Sequence, residues 1–202
     1  MKLLTLAAVA ADPERVTFPV RLRDGTALEY RPLVAADADA LTAFVESLSP
    51  LTRSRWNLSG YDRVAAEEMI DAIARYDKLR LVAVDPEDPQ LGICALFEFS
   101  FGIPRHECER YAGYGITLDE AHDCRFGPCV RDDMQRRGLA SALMPPTLAI
   151  VRRFGKSRVI LWGGVLATNA PAIAFYLRHG FVELGRFATQ DGLSSIDMLR
   201  EV

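Results

Sequence analysis

Apolar positions along the chain fall into two periods, and the switches between them mark out the elements. "TALEYRPL", from Thr26, alternates as a half-buried strand does and follows the Asp24-Gly25 turn. In "VAADADALTAFVESLSP", Leu41, Phe44, Val45 and Leu48 recur at helical spacing, and Pro50 lies beyond the end. Asp37 or Asp39 sits in the first turn, where a carboxylate suits the helix dipole. "TRSRWNLSGYDR" reads as a polar, aromatic-bearing loop, and "RVAAEEMIDAIARYD" as a second helix with Val64, Met69, Ile70 and Ile73 on its apolar face. "LRLVAVD" is a strand ended by the turn "PEDPQ", and "LGICALFEFSF" is a long strand. Residues 102–123 read as a hairpin or loop excursion. "RFGPCVRDD" is strand-like and leads into a helix that runs to about Phe154. "SRVILWGGVL" is a buried strand, and "NAPAIAFYLRHG" is a short helix stopped by Gly180. "FVELGRF" and "SSIDMLREV" complete the sheet. The order mixes α and β, with no repeat and no linker.

Length and charge narrow the class. A chain of 202 residues suits one domain, read as 20–202, with residues 1–19 as an extension or extra strand. The net charge of −3 argues against a broad nucleic-acid footprint, which needs a basic excess. No apolar run reaches the roughly 20 residues that span a bilayer. "MKLLTLAAVAA" resembles a minimal signal peptide, but its single lysine favours a first strand or an unstructured start. Cys94, Cys108, Cys124 and Cys129 form no CxxC pair, so reduced thiols and a cytoplasmic location are expected.

The candidate chemistry begins at "VRDDMQRRGLAS". A phosphate is held well by backbone N–H groups that have no intrahelical partner, as in the first turn of a helix. Here a strand ends near Arg131, the chain turns, and Gly138 opens a helix whose Ala140 and Ser141 leave the first turn uncovered. Neither of the other common phosphate loops, GxxxxGK[ST] and GxGxxG after a strand, is present. About thirty residues on, after another strand, comes "NAPAIAFYLRHGF".

Together, the strand, Q-R-R-G-L-A, helix, strand and N-x(6)-Y-x(3)-G-F resemble the GNAT superfamily of acyl-CoA-dependent N-acetyltransferases. "LRDGTALEYRPLVAADADALTAFVESLSP" is similar to the amino-terminal strand and helix of that family, so the likeness covers roughly residues 20–200. It implies an α/β fold: a twisted, mostly antiparallel sheet of about seven strands with a splayed parallel pair, flanked by about four helices. It also implies acetyl-CoA as cosubstrate, a primary amine as acceptor, and a homodimer as a common assembly.

Carried onto this chain, the resemblance places pantetheine along Pro128, Cys129 and Val130, like an added strand. Pro128 departs from the usual apolar residue and lacks an N–H. The pyrophosphate falls on the amides of Arg136, Arg137, Gly138, Leu139, Ala140 and Ser141, with the two arginine side chains toward the 3′-phosphate. Asn169 matches the asparagine that steadies pantetheine, and it equally suits a helix N-cap. Tyr176 matches the tyrosine that protonates the leaving thiolate, a task that fits a phenol of pKa about 10. The base is less plain. The two positions where relatives often carry an acid are Gly164 and Arg125, which leaves Glu98 as the best base, ahead of Asp123 and His122.

Three further features remain. His106 with Cys108 and His122 with Cys124 would share a face if they lay on strands, but His-x-Cys is an uncommon zinc pairing and no metal is expected. Pro145 and Pro146 should bend the helix after its phosphate-binding turns. The acceptor should be chosen by residues 54–61, 97–101 and 102–123, with Trp56, Tyr61 and Phe99 as apolar candidates. The competing reading is an acyl-CoA-binding sensor without turnover.

Overall fold

A computed structural model describes residues 3–56, 58–88 and 92–202. Met1 and Lys2 of the N-terminal run, Asn57, the end of the "PEDPQ" turn at Pro89 and Gln90, and Leu91 lie outside the described residues. The strands are β1 (Phe18–Arg21), β2 (Ala27–Pro32), β3 (Lys78–Val84), β4 (Ile93–Ser100), β5 (Asp123–Val130), β6 (Arg158–Leu161), β7 (Val165–Leu166), β8 (Val182–Ala188) and β9 (Ser194–Glu201). They hydrogen-bond as a mixed sheet in the order β1-β2-β3-β4-β5-β6-β9-β7, with β8 on β9. The helices among the described residues are α1 (Leu6–Ala11), α2 (Ala38–Ser47), α3 (Pro50–Trp56), α4 (Arg63–Asp71), α5 (Arg105–Ala112), α6 (Leu139–Arg153) and α7 (Ala170–Arg178). Both counts exceed the expected seven and four.

The chain forms two compact units. The first takes residues up to Glu98 together with Pro128–Thr147, and the second takes Phe99–Gly127 and Leu148–Val202. In the first unit β1, β2 and β3 are antiparallel neighbours. The helical stripe of α2 buries Leu41, Phe44 and Val45 with Met69, Val82, Ile93, Leu96 and Cys129. Asp37 fixes the entry to α2 by taking two hydrogen bonds from Arg31, at 2.7 and 2.8 Å, and one from Val34 N at 2.9 Å. Val64 does not belong to the apolar face of α4. It is 63% exposed, and the small Ala65 and Ala66 pack inward with Met69.

The segment expected as a loop around Arg53 is helical. Ser49 caps α3, with Thr52 N donating to its Oγ at 3.2 Å, and Pro50 opens the helix, where its missing N–H costs nothing. The N-terminus is likewise a helix, α1, capped by Thr5, in place of a strand or an unstructured start. α6 continues without a break through Pro145 and Pro146. Just past them, buried Thr147 shares a 2.7 Å hydrogen bond with the Tyr30 hydroxyl, which helps tie α6 to β2.

The second unit is built on β5 and β6, which run parallel with Asp123–Phe126 opposite Arg158–Leu161. β6, β7 and β8 each pair antiparallel with β9. Phe99 stacks on Phe126 at 4.8 Å, and a second cluster gathers Ile103, Tyr111, Ile160 and Leu199. The excursion after β4 is not a hairpin, because Pro104 starts the helix α5. His106 and Cys108 therefore sit two apart on a helix and no longer share a face. No group of three or more His, Cys, Asp or Glu placed to hold a metal occurs among the described residues.

The turn that follows β6 passes through two left-handed glycines, Gly163 and Gly164. At Gly164 a Cβ would lie 2.7 Å from Ile196 O and 2.9 Å from the side chains of Phe187 and Ser195. Gly164→Ala should therefore lower stability by roughly 2–5 kcal/mol, the sum of a left-handed penalty and overpacking, measured by urea denaturation. A loss below about 1 kcal/mol would show that this turn relaxes freely.

Candidate active site

The loop between β5 and α6 is held at its root, largely by side chains. Arg131 N donates to Cys94 O at 2.9 Å. Its buried guanidinium binds Asp133 at 2.7 Å, Asp88 at 3.2 Å and Ile93 O at 3.4 Å. Asp132 accepts from Ser49 N at 2.8 Å, from Ser49 Oγ at 2.7 Å and from Thr52 Oγ1 at 2.7 Å. Burial would raise the pKa of that carboxyl, but these hydrogen bonds outweigh it and hold Asp132 below the usual carboxylate range. Gln135 Nε2 completes the clamp, donating to Thr52 Oγ1 at 3.2 Å and to Val130 O at 3.0 Å.

With its root fixed, the loop turns through two left-handed residues, Arg136 at φ 61° and Gly138 at φ 83°. A backbone that enters this region repeatedly is the kind that directs successive N–H groups toward an anion. A non-glycine residue there costs about 1–2 kcal/mol, so Arg136 is strained. Ala142 N donates to Gly138 O at 2.9 Å, and by helix geometry the amides of Leu139 and Ala140 ahead of it have no intrahelical acceptor. A Cβ on Gly138 would meet nothing within 4 Å, so the space over the loop is open.

The two arginines of the loop differ. Arg137 is paired with Asp24 at 2.6 Å and donates to Thr26 Oγ1 at 3.1 Å; the hydrogen bonds from Thr26, and then that from Arg137, hold the Asp24 carboxyl well below its usual range. Arg136 is exposed and makes no ion pair among the described residues. It is the cation of the pair available to a ligand. On β5, Cys129 buries its side chain in the core beside Leu33, Phe44 and Met69, so any ligand role is confined to its backbone. Pro128 and Val130 alternate to the other, half-buried side. Burial pushes the Cys94 thiol up to about 11 and Cys124 up to about 12, which keeps both uncharged near neutral pH.

Glu98, also in the first unit, is buried and ion-paired. Arg80 Nη2 lies 2.7 Å from its Oε1, and Lys78 Nζ lies 3.8 Å away. To take a proton from an amine it must compete with both cations. Trp56 and Tyr61 pack against the core of this unit, and the Tyr61 hydroxyl donates to Arg53 O at 2.7 Å.

In the second unit, Asn169 is the N-cap of α7, accepting from Ala172 N at 3.4 Å. Tyr176 is buried on α7, with its ring 5.2 Å from Phe181 and 5.3 Å from Phe175. Phe99 is core, stacked as described. Asp123 is fully buried and bound by Arg158 at 2.6 and 2.7 Å and by Asp119 N at 2.6 Å, while His122 lies 2.7 Å from Asp119. Neither is placed as a free base. Gly164 has no room for a side chain, and Arg125 lies over the Trp162 ring at 4.4 Å, donating to Gly102 O and Ser100 Oγ.

The anchoring roles of Asp132 and Gln135, and the burial of Glu107, lie outside what the sequence analysis expects. For the first two, the signal was available: polar residues flanking Met134, with Ser49 and Thr52 set at a helix start. For Glu107 there was none, since burial of a carboxylate on a charged helix is decided by tertiary packing.

Comparison with known proteins shows the family and the fold. A family model described as the acetyltransferase (GNAT) family matches residues 43–181. No curated protein sequence matches the chain. Among solved structures, the GNAT domain of S. lividans PAT superposes with a TM-score of 0.70 at 23% identity, covering 94% of this chain and 99% of that one. The ribosomal-protein-S5-alanine acetyltransferase from Vibrio fischeri gives 0.66 at 12% identity, covering 92% and 96%. Mycobacterium smegmatis RimJ in complex with CoA-disulfide gives 0.63 at 16%, covering 92% and 86%. At these identities the structures speak for the fold, and the family model, which spans most of the chain, carries the assignment: this chain belongs to the GNAT family of acetyltransferases.

Proposed function

We propose that the protein transfers an acetyl group from acetyl-CoA to a primary amine by direct attack. The observation that carries this reading is the β5–α6 loop, whose root is clamped by Arg131, Asp132 and Gln135 while its left-handed turn leads into the uncovered first turn of α6. Such a loop suits a diphosphate, held by the amides of Arg136–Ser141 with Arg136 adding charge. Pantetheine would pair with the backbone of Pro128–Val130, with an amide near Val130 facing the oxyanion. Asn169 would steady the arm beside its capping role. Tyr176 would give the departing thiolate its proton.

The amine attacks the carbonyl carbon, the C–N bond forms, and the C–S bond breaks with its electron pair left on sulfur. The acceptor is a small-molecule or protein amine. A peptide N-terminus belongs among the candidates, since the structurally similar Vibrio fischeri protein is a ribosomal-protein-S5-alanine acetyltransferase. Four free cysteines suit a reducing, cytoplasmic setting, and no helix among the described residues is long and apolar enough to cross a membrane. A homodimer with no nucleic-acid partner completes the reading.

A second reading, acyl-CoA binding without turnover, is favoured by one observation: Glu98 is tied to Arg80 and Lys78. Release of CoA thiol with spermidine, a lysyl peptide and an alanyl N-terminal peptide separates the two. Turnover is expected with at least one, and tight CoA binding with no turnover on any would favour the sensor. In the enzyme, Tyr176→Phe should lower kcat about 10²-fold with little change in CoA affinity. An unchanged kcat would remove Tyr176 from the reaction.

The loop is tested separately by calorimetry. Gly138→Ala should fold, with a stability loss of about 1 kcal/mol from the left-handed backbone. It should bind CoA at least about tenfold more weakly, because the new methyl group stands in open space over the amides. Wild-type affinity in this variant would place the diphosphate elsewhere.

A further inference from the structure

One buried carboxylate in the second unit is left half-satisfied, and it is bound to the turn that follows β6. Glu107 is 2% exposed on the inner side of α5, one helical turn from the fully buried Tyr111. Its Oε1 accepts from Gly163 N at 3.1 Å. Its Oε2 is buried and has no hydrogen-bond partner among the described residues. The nearest cation, Arg125 Nε, stands 3.8 Å away, and that guanidinium already donates to Gly102 O at 2.8 Å and to Ser100 Oγ at 2.9 Å. Leaving an acceptor buried and unpaired costs about 1–3 kcal/mol, more when it is charged, so such a group calls for an explanation.

Its position suggests one. β5 and β6 are paired as far as Phe126 and Leu161, with Trp162 N donating to Phe126 O at 2.9 Å. Gly163, which binds Glu107, is the next residue. The proposed reading runs pantetheine along Pro128–Val130, the residues of β5 that follow this paired stretch. Glu107 therefore presents a carboxylate oxygen without a hydrogen-bond partner beside the end of β6, the strand that flanks the proposed path of pantetheine.

We infer that Glu107 is the proton acceptor for the incoming amine, at Oε2 directly or through one water. The inference rests on the acetyl-transfer reading above. The ammonium gives one proton to Glu107, and the neutral amine's lone pair forms the C–N bond. When the C–S bond breaks, the thiolate takes a proton from Tyr176, which is resupplied from the nitrogen of the adduct. The second ammonium proton thus ends on CoA, and the first leaves Glu107 to solvent. An arriving ammonium also offsets the buried charge that the protein pairs only in part.

The surroundings set the pH response. Desolvation raises the pKa of Glu107; Arg125 on β5, the Gly163 amide after β6, and Arg110 and His106 on α5 itself pull the other way without cancelling it. Arg110 is neutralised by Asp197 on β9, whose Oδ2 lies 2.5 Å from Arg110 Nε, so its pull is weakened. A base with a raised pKa is lost as pH falls through that value, so the acid limb of kcat/KM should lie above the ordinary carboxylate range.

Glu107→Gln is the cleanest variant, because the amide oxygen can still accept from Gly163 N and the turn is kept. With acetyl-CoA and whichever amine of the panel turns over, kcat should fall about 10²-fold or more. KM for acetyl-CoA should be unchanged, and the acid limb should vanish. If this variant does not fold, Glu107→Asp carries the test, with a kcat about tenfold lower and the limb retained, since the carboxylate is present but displaced. Wild-type kcat with an unchanged acid limb in Glu107→Gln, or wild-type kcat in Glu107→Asp, would overturn the inference. Absence of turnover by the wild type with every amine would instead overturn the acetyl-transfer reading, and this inference with it.

Discussion

A helix can offer its first amides to a ligand only if something else fixes the chain that leads into it. Here that task falls to the Asp132 carboxylate. Its three hydrogen bonds from Ser49 and Thr52 fasten the loop to the start of α3, and Gln135 joins the same threonine to the end of β5. One carboxylate and one amide thus hold a strand end, a helix start and the loop between them. Side chains do most of the anchoring, and the backbone bonds of the loop use the amides of Arg131, Met134 and Gln135, ahead of those that open α6. The strain at Arg136 is consistent with this division, because a left-handed arginine persists only where its neighbours over-determine it.

Elsewhere the buried charges are paired closely, which makes the exception informative. Glu98 has Arg80, Asp123 has Arg158, Asp197 has Arg110, and Asp37 has Arg31. Each of these anions takes at least one contact at 2.7 Å or less from its cation. Glu107 has one backbone amide and a cation at 3.8 Å. Glu107 is thus the one of these five buried carboxylates without a cation in hydrogen-bonding contact.

Much of this was legible in the chain. The stripe of Leu41, Phe44 and Val45, the cap at Asn169 and the opening of α6 at Gly138 follow from local rules, because periodicity, capping and left-handed turns are written in neighbouring residues. Elements whose burial rests on small side chains were misjudged. Val64 looked like core because it is the larger apolar residue, while Ala65 and Ala66 fit against the core and turn it outward. α3 lacks an apolar period, and only Ser49-Pro50 announces it. Local rules carry α6 through its two prolines to about Phe154, and the helix does run on to Arg153, but the tie from Thr147 to Tyr30, far along the chain, is not legible locally. Charge pairing was invisible for the same reason: Arg80 and Glu98 are eighteen positions apart, and nothing local joins them.

The central claim is that the amides opening α6 hold the diphosphate of coenzyme A. Backbone amide NMR shifts, followed while adding CoA and then pantetheine in a separate titration, test it directly. The account predicts large shifts at Arg136–Ala140 with CoA, little change there with pantetheine, and much weaker binding of pantetheine. Equal affinity for the two ligands, or CoA shifts that spare these amides, would contradict it.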